Sequence, residues 1–276
     1  MKHPKNLIII AVVVSIISCK SKPQFVCDDH FINGFNYFLV DDLNKAENEF
    51  QLAIKSNPKN ANAFYGLGNC YIYSGENEKA TLAFDKAIEI NPDFTMAYFE
   101  NGQVKSMEGK PKDAIIDFTK AINLKSDFTL AYYNRGGQYT AVGDQQKALE
   151  DMDEVIKLKP DFYRAYFARA SFKHNLGDNK GAINDYSKVL KIDSNNINAY
   201  FNRGIILGDS KEYQLAINDL TKAIDLKTNS NSVFLYRGLY EFYLGKKTEA
   251  CEDFTKAKSL NVPKADEYVS KYCNGK

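Results

Sequence analysis

The sequence has no excess of charge of either sign. Its 36 lysine and arginine residues are matched by 35 aspartate and glutamate residues, which leaves a formal net charge of +1. Loss of residues 1–18, which include Lys2 and Lys5, would change this charge to −1. Nucleic acids and anionic membranes attract proteins mainly through a basic excess. We therefore expect no nucleic-acid partner and no general electrostatic attraction to a membrane.

The sequence also has few of the residues and motifs that catalytic and metal sites require. It contains three histidines, five cysteines and no C-x-x-C pair, so a zinc site is not expected. It contains no HExxH motif, phosphate-binding loop or nucleophile motif. Asp28, Asp29 and His30 are adjacent on one predicted helix and cannot converge on one metal ion. We predict that the protein is not an enzyme and needs no cofactor.

No apolar run reaches the length of about 20 residues that spans a bilayer. Residues 1–18 nevertheless combine a basic start with the apolar or small run Leu7–Ser18, which is typical of a signal peptide. The end of this run, directly before Cys19, resembles the lipobox of bacterial lipoproteins. That resemblance implies that Cys19 is acylated and that residues 19–26 form a lipidated tether. A plain secretory signal with an incidental cysteine is the alternative.

Export would place the remaining cysteines in an oxidising compartment. Cys251 and Cys273 both lie near the C-terminal end of the chain, on two helices that are expected to pack together. We expect a disulfide between them that holds the last helix. A bond between Cys27 and Cys70 is the less favoured pairing, and burial as a small apolar side chain is the alternative for each cysteine.

The chain repeats itself with a period of about 34 residues, and a fixed period of this length predicts a stacked array of helix pairs. A small residue recurs at one position of each first helix and at one position of each second helix. The two sets are Gly34, Gly68, Gly102, Gly136, Ala170, Gly204 and Gly238, and Ala46, Ala80, Ala114, Ala148, Ala182, Ala216 and Ala250. Glycine inside a helix costs about 0.5–1 kcal/mol relative to alanine, so its recurrence indicates that helices approach closely.

Turn residues divide the array into seven repeats. A glycine ends most first helices, but in the sixth repeat Lys211 takes this position and Gly208 lies earlier in the helix, which predicts a shortened helix. Asp93 and its equivalents are expected to cap the following first helices. The repeats are 27–60 (degenerate), 61–94, 95–128, 129–162, 163–196, 197–230 and 231–264, followed by a C-terminal capping helix over 265–276.

The repeat over residues 61–94 carries a recognisable signature: Phe64, Leu67, Gly68, Tyr71, Ala80, Phe84, Ala87 and Pro92. This pattern resembles the tetratricopeptide repeat (TPR) family, and the resemblance extends over residues 27–264. It implies an all-α fold, a right-handed α-solenoid of about seven helix-turn-helix repeats. The first repeat departs from the pattern, with His30 where an aromatic residue is expected.

One pair of positions is particular to this chain. Four arginines on first helices are each followed, at one constant spacing, by an aspartate on the second helix. The pairs are Arg135 and Asp151, Arg169 and Asp185, Arg203 and Asp219, and Arg237 and Asp253. We predict structural ion pairs within each repeat, because a half-buried arginine without a partner is costly. Pairing between repeats, as from Asp117 to Arg135, is the second possibility.

The family resemblance implies that first helices line a concave, ligand-binding groove. The implied groove residues are Asn62, Tyr65, Asn69, Phe99, Gln103, Tyr133, Asn134, Arg164, Phe167, His174, Asn198, Phe201 and Asn202. Asn134 and Asn202 match groove asparagines that grip a peptide backbone, since an amide both donates and accepts hydrogen bonds. For the aromatic residues, packing between neighbouring first helices is the alternative.

Together these features predict a non-enzymatic scaffold that binds a protein or peptide segment. We expect it to be exported and anchored by lipid at a bacterial cell envelope, at the outer membrane, facing the periplasm or the surface. An adaptor or chaperone for a secreted enzyme is one alternative. A glycan or small-molecule receptor is another, because the aromatic residues could stack against sugars, and a pure spacer without ligand is the third.

Overall fold

The computed structural model describes residues 29–273, which form fifteen α-helices and no strand. The helices are α1 Asp29–Leu39, α2 Leu43–Ser56, α3 Ala61–Ser74, α4 Asn77–Ile90, α5 Thr95–Met107, α6 Pro111–Leu124, α7 Thr129–Ala141, α8 Gln145–Leu158, α9 Tyr163–Asn175, α10 Asn179–Ile192, α11 Ile197–Asp209, α12 Tyr213–Asp225, α13 Ser232–Tyr243, α14 Lys247–Ser259 and α15 Ala265–Tyr268. None of these helices is long and apolar enough to cross a bilayer. The predicted signal peptide, Cys19 and the predicted tether lie outside the described residues.

The described residues form two compact units, residues 29–148 and 149–273, with the division inside α8. Within each unit a first helix packs against the second helix that follows it, and that second helix packs against the next first helix. The core of each unit consists of alanines and aromatic rings between these layers. The predicted all-α fold of stacked helix pairs is confirmed.

The recurring glycines allow rings of the second helices to contact the backbone of the first helices. A Cβ atom at Gly68 would lie 2.6 Å from the ring of Phe84, and one at Gly102 would lie 2.9 Å from the ring of Phe118. Real Cβ atoms do not approach other atoms so closely, so a larger residue would push the two helices of the pair apart.

The sixth repeat corrects the prediction of a shortened first helix. Helix α11 has 13 residues, and Lys211 adopts the left-handed conformation with φ 65° that Gly75 adopts in the second repeat with φ 78°. Gly208 does not end the helix. It is buried, and the ring of Tyr240 occupies the space where its side chain would be.

Several first helices begin one residue later than the aspartates suggest. Phe94 and Phe128 stand at the N-cap positions of α5 and α7, and neither helix has a side-chain cap. Asn196, by contrast, caps α11 by accepting a hydrogen bond from the backbone N–H of Ala199 at 3.0 Å. The capping prediction made for Asp93 and its equivalents is therefore wrong, because a phenylalanine or an asparagine stands at these cap positions instead.

The C-terminal segment packs on the last helix pair. Helix α15 has four residues and continues as a single π-helical turn, Val269–Cys273. Its Tyr268 lies 5.3 Å from Phe254, and Tyr272 in the π-helical turn lies 4.3 Å from Phe242, measured between ring centroids. These aromatic contacts cover apolar surface of the last repeat, which repeat arrays require at their ends.

The structure joins Cys251 on α14 to Cys273 in a disulfide. Cys70 is a free, buried thiol, so the less favoured pairing with Cys27 is wrong. Burial raises the pKa of the Cys70 thiol to about 12, which keeps it protonated and unreactive at neutral pH.

Candidate functional site

Each compact unit presents a first-helix face, the surface formed by its odd-numbered helices α1, α3, α5 and α7 or α9, α11 and α13. Neighbouring first helices contact one another, as α1 does with α3, α5 with α7 and α11 with α13. The thirteen residues predicted to bind a partner all belong to α3, α5, α7, α9 and α11. Their accessibility divides them into two groups.

Three of the predicted binding residues lie in the core and are not available to a partner. Tyr65 and Asn69 have 1 % of their surface exposed, and Phe99 has 2 %. The side-chain amide of Asn69 donates a hydrogen bond to the carbonyl oxygen of Tyr65 at 2.8 Å, within their own helix. The prediction is wrong for these three residues, and packing explains their positions.

Phenylalanines at the starts of the next first helices bury these rings. The ring centroid of Phe94 lies 5.0 Å from that of Tyr65, and the ring centroid of Phe128 lies 4.7 Å from that of Phe99. Both pairs are inclined by 39°. Each covering ring stands at the N-cap of the first helix in the repeat that follows. We name Phe94 and Phe128 the covering phenylalanines.

The second unit lacks this cover at two repeats. The residues that occupy the covering position after Phe167 and Phe201 are Asn196 and Ser230, and both rings are half-buried. A cavity of about 590 Å³ lies at this place in the second unit, and we name it the α11–α13 cavity. Its lining residues are Asp193, Asn195, Asn196, Ile197, Asn198, Phe201, Lys227, Thr228, Asn229 and Ser230.

The remaining predicted residues are accessible to different degrees. Arg164 and Asn198 are exposed, and the others are half-buried: Asn62, Gln103, Tyr133, Asn134, Phe167, His174, Phe201 and Asn202. Some polar groups among them already have partners within the chain. Asn202 donates a hydrogen bond to the hydroxyl of Tyr186 at 3.2 Å, and Nδ1 of His174 lies 2.8 Å from the amide oxygen of Asn179.

Glu100 on α5 is a buried carboxyl that the sequence reasoning missed. It has 2 % of its surface exposed and accepts a hydrogen bond from the side-chain amide of Gln103 at 2.7 Å. Burial raises the pKa of Glu100 to about 8, because the interior disfavours the charged form. Glu100 occupies the repeat position that Asn134 and Asn202 occupy in later repeats. This shared position is the sequence signal that could have identified Glu100 as a residue of the first-helix face.

The structure brings three of the predicted arginine–aspartate pairs together. Arg203 donates from Nε and Nη2 to both carboxylate oxygens of Asp219, at 2.6 and 2.7 Å. The pairs of Arg169 with Asp185 and of Arg237 with Asp253 have the same two-pronged geometry. The pair of Arg135 with Asp151 would join residues of different compact units and stays a prediction.

The remaining guanidinium nitrogen reaches the preceding repeat, as the second possibility proposed, but it binds a different residue there from the aspartate that was expected. Nη1 donates to a residue on the second helix of the previous repeat. The acceptors are Thr119 for Arg135 at 3.1 Å, Asp153 for Arg169 at 2.6 Å, Ser187 for Arg203 at 2.8 Å and Thr221 for Arg237 at 3.1 Å. An arginine that engages both second helices joins consecutive repeats as well as the two helices of its own repeat.

Asp117 shows how the chain satisfies an aspartate whose repeat has no arginine. Its repeat has Asn101 at the arginine position, and Lys105, one turn further along α5, binds Asp117 at 2.7 Å. Lys173 adds a similar contact to Asp185 at 2.9 Å. Within residues 29–273 no group of three histidine, cysteine or acidic side chains is arranged to hold a metal ion.

Comparison with protein families identifies the repeats. Models of the tetratricopeptide repeat match residues 61–94, 130–162 and 197–230, and a model named TPR repeat matches residues 173–210. The chain therefore contains tetratricopeptide repeats. No curated protein matches its sequence.

Solved structures share the fold at low sequence identity. MamA is 25 % identical with a TM-score of 0.57, and the match covers 58 % of this chain and 94 % of MamA. YrrB, a TPR protein with an unusual peptide-binding site, is 23 % identical with a TM-score of 0.60, over 67 % of this chain and 95 % of YrrB. A tetratricopeptide repeat protein from Parabacteroides merdae is 18 % identical with a TM-score of 0.62, over 89 % of this chain and 98 % of its own.

Proposed function

We propose that this array of tetratricopeptide repeats is a non-catalytic scaffold that binds an extended protein segment along its first-helix faces. We further propose that the protein is exported and held at a bacterial cell envelope by lipid on Cys19. The repeat fold is one that interaction scaffolds use, and the structurally similar YrrB has a peptide-binding site. The Leu7–Ser18 run before Cys19 supports export.

The observation that carries the proposal is the open, amide-rich surface of the second unit. Asn198 is exposed beside the half-buried ring of Phe201, and both line the α11–α13 cavity with Asn195 and Asn229. An amide donates one hydrogen bond and accepts another, which matches the alternating groups of a peptide backbone. Asp193 and Lys227 are the charged residues in this lining, so the surface favours a neutral segment.

A binding experiment with peptide arrays and glycan arrays tests this function. We expect the purified full chain to bind peptides, and we expect the double variant Asn134→Ala with Asn198→Ala to bind them at least tenfold more weakly. Asn184→Ala is the matched control, because Asn184 is an exposed asparagine on the second helix α10. Binding of glycans alone, unchanged by the double variant, would contradict the proposal.

A glycan receptor is the second candidate function, and one specific observation favours it. The accessible ring of Phe201 forms part of a cavity whose other members are mainly amides and hydroxyls. Sugars commonly bind between an aromatic face and such polar groups, so the glycan array is a necessary arm of the experiment.

A further inference from the structure

We propose that the α11–α13 cavity receives an aromatic side chain of the bound protein segment, in the place that a covering phenylalanine takes in the first unit. This inference rests on the proposed function and adds the chemical identity of the anchor. It follows from a comparison of equivalent positions within the chain itself.

In the second and third repeats the chain supplies the aromatic ring. Phe94 covers Tyr65 and Phe128 covers Phe99, with nearly equal centroid distances of 5.0 and 4.7 Å and the same inclination of 39°. Tilted and offset pairs of this kind are favourable arrangements for two rings. The scaffold therefore has a reproducible geometry for a second ring at this position.

In the sixth repeat the aromatic ring on the first helix is present, but the phenylalanine that would cover it is absent. Phe201 is the equivalent of Phe99, and Ser230 is the equivalent of Phe128. Tyr236 approaches Phe201 edge-on, with centroids 6.1 Å apart and planes at 74°. Phe201 remains half-buried, whereas the ring of Tyr65, which does have a cover, is 1 % exposed.

The size and the walls of the cavity agree with an aromatic anchor on a peptide. A volume of about 590 Å³ falls within the usual range of about 300–1,000 Å³ for sites that bind small ligands. Such a space accommodates one ring together with the neighbouring backbone. Asn195, Asn198 and Asn229 also line it, and an asparagine amide can hydrogen-bond to such a backbone.

The equivalent position in the fifth repeat is less suited to this role. Asn196, which stands at the covering position, is engaged as the cap of α11. We therefore assign the anchor to the cavity beside Phe201.

The experiment selects phage-displayed random peptides on the immobilised full chain. We expect the selected peptides to share an aromatic residue, and we expect its replacement by alanine to weaken binding at least tenfold. Ser230→Phe supplies the missing covering ring and should cause a loss of the same size. The matched control is Ser230→Ala, which also removes the hydroxyl that lies 2.8 Å from that of Ser232 but leaves the cavity open, so binding should be retained.

The possible results distinguish a failure of the aromatic anchor from a failure of the proposed peptide-binding function. If selected peptides bind Ser230→Phe as well as the unchanged protein and share no aromatic residue, the anchor is wrong and the peptide-binding function stands. If no peptide is selected, both fail. If chitotriose binds instead and Ser230→Phe abolishes that binding, the cavity is a sugar site and the inference is overturned. Circular dichroism of each variant verifies that the fold is unchanged.

Discussion

Among single residues, the arginines on the first helices have a double structural role. Arg203 has 20 % of its side chain exposed and binds Asp219 with two nitrogens and Ser187 with the third. Its partners belong to the second helices of its own repeat and of the preceding one. Loss of such a charged partner leaves a largely buried cation, which costs more than the pair contributes.

Replacement of one aspartate tests how much this ion pair contributes to stability. We expect Asp219→Ala to lower the free energy of unfolding by about 3–5 kcal/mol, as measured by urea denaturation. The double variant Asp219→Ala with Arg203→Leu should recover a large part of this loss, because no buried cation remains.

Asp153→Ala is the control for that measurement. The Asp153 side chain is 60 % exposed, and exposed ion pairs contribute about 0–1 kcal/mol. Equal losses in the single variant Asp219→Ala and the double variant would refute the coupling between Asp219 and Arg203.

The buried carboxyl of Glu100 predicts a dependence of stability on pH. Its pKa is raised from 4.5 to about 8 by burial, so the folded state holds a proton that the unfolded state releases. The contribution of this proton to the free energy of unfolding is fully present below about pH 4.5 and is lost as the pH rises to about 8. The full effect is on the order of 5 kcal/mol.

Glu100→Gln should remove this dependence, because an amide keeps the shape and does not titrate. We expect the stability of the variant relative to the unchanged protein to increase between pH 5 and pH 9, as followed by urea denaturation at each pH. Glu89→Gln, at a side chain with 67 % exposure, is the control and should leave the profile unchanged. Parallel profiles for the unchanged protein and Glu100→Gln would show that Glu100 is ionised in the folded state.

Among the helical elements, the short C-terminal helix depends on neighbours for its stability. A four-residue helix has no independent stability in water, and here α15 and its π-helical turn are held by aromatic packing and by the bond from Cys273 to Cys251. A disulfide that closes a loop of this length stabilises a fold by about 3 kcal/mol, mainly through the unfolded state.

Removal of the disulfide should loosen this end of the chain. We expect the double variant Cys251→Ala with Cys273→Ala to melt at a lower temperature and to exchange the amide hydrogens of α15 faster. Dithiothreitol should produce the same changes in the unchanged protein and no further change in the variant. Unaltered exchange in α15 would mean that aromatic packing alone holds it.

For the molecule as a whole, the prediction concerns location. Cys19→Ser should release the protein from membranes, because an acyl chain attached at Cys19 would be the anchor and no helix within residues 29–273 could replace it. Fractionation of cells that express each form measures this release. Lys20→Ser, which keeps the cysteine, is the control and should stay with the membranes. Membrane association that survives in Cys19→Ser would contradict the lipid anchor.

The helix pairs, their period and their close packing could be predicted from the amino-acid sequence. A glycine such as Gly68 and an alanine such as Ala80 recur from repeat to repeat, and each constraint acts within one repeat. The ion pair of Arg203 with Asp219 was predictable for the same reason, since both partners lie in one helical hairpin.

Which first-helix residues are open to a partner depends on contacts that form only in the folded chain. Phe99 and Phe201 occupy equivalent positions in their repeats, yet Phe99 is buried and Phe201 borders a cavity. The difference arises in the turn just before the next first helix, where Phe128 packs over one ring and Ser230 leaves the other uncovered. Exposure therefore depends on which side chain the fold brings over the ring from the turn before the next first helix, and the repeat pattern by itself does not show that these two positions meet.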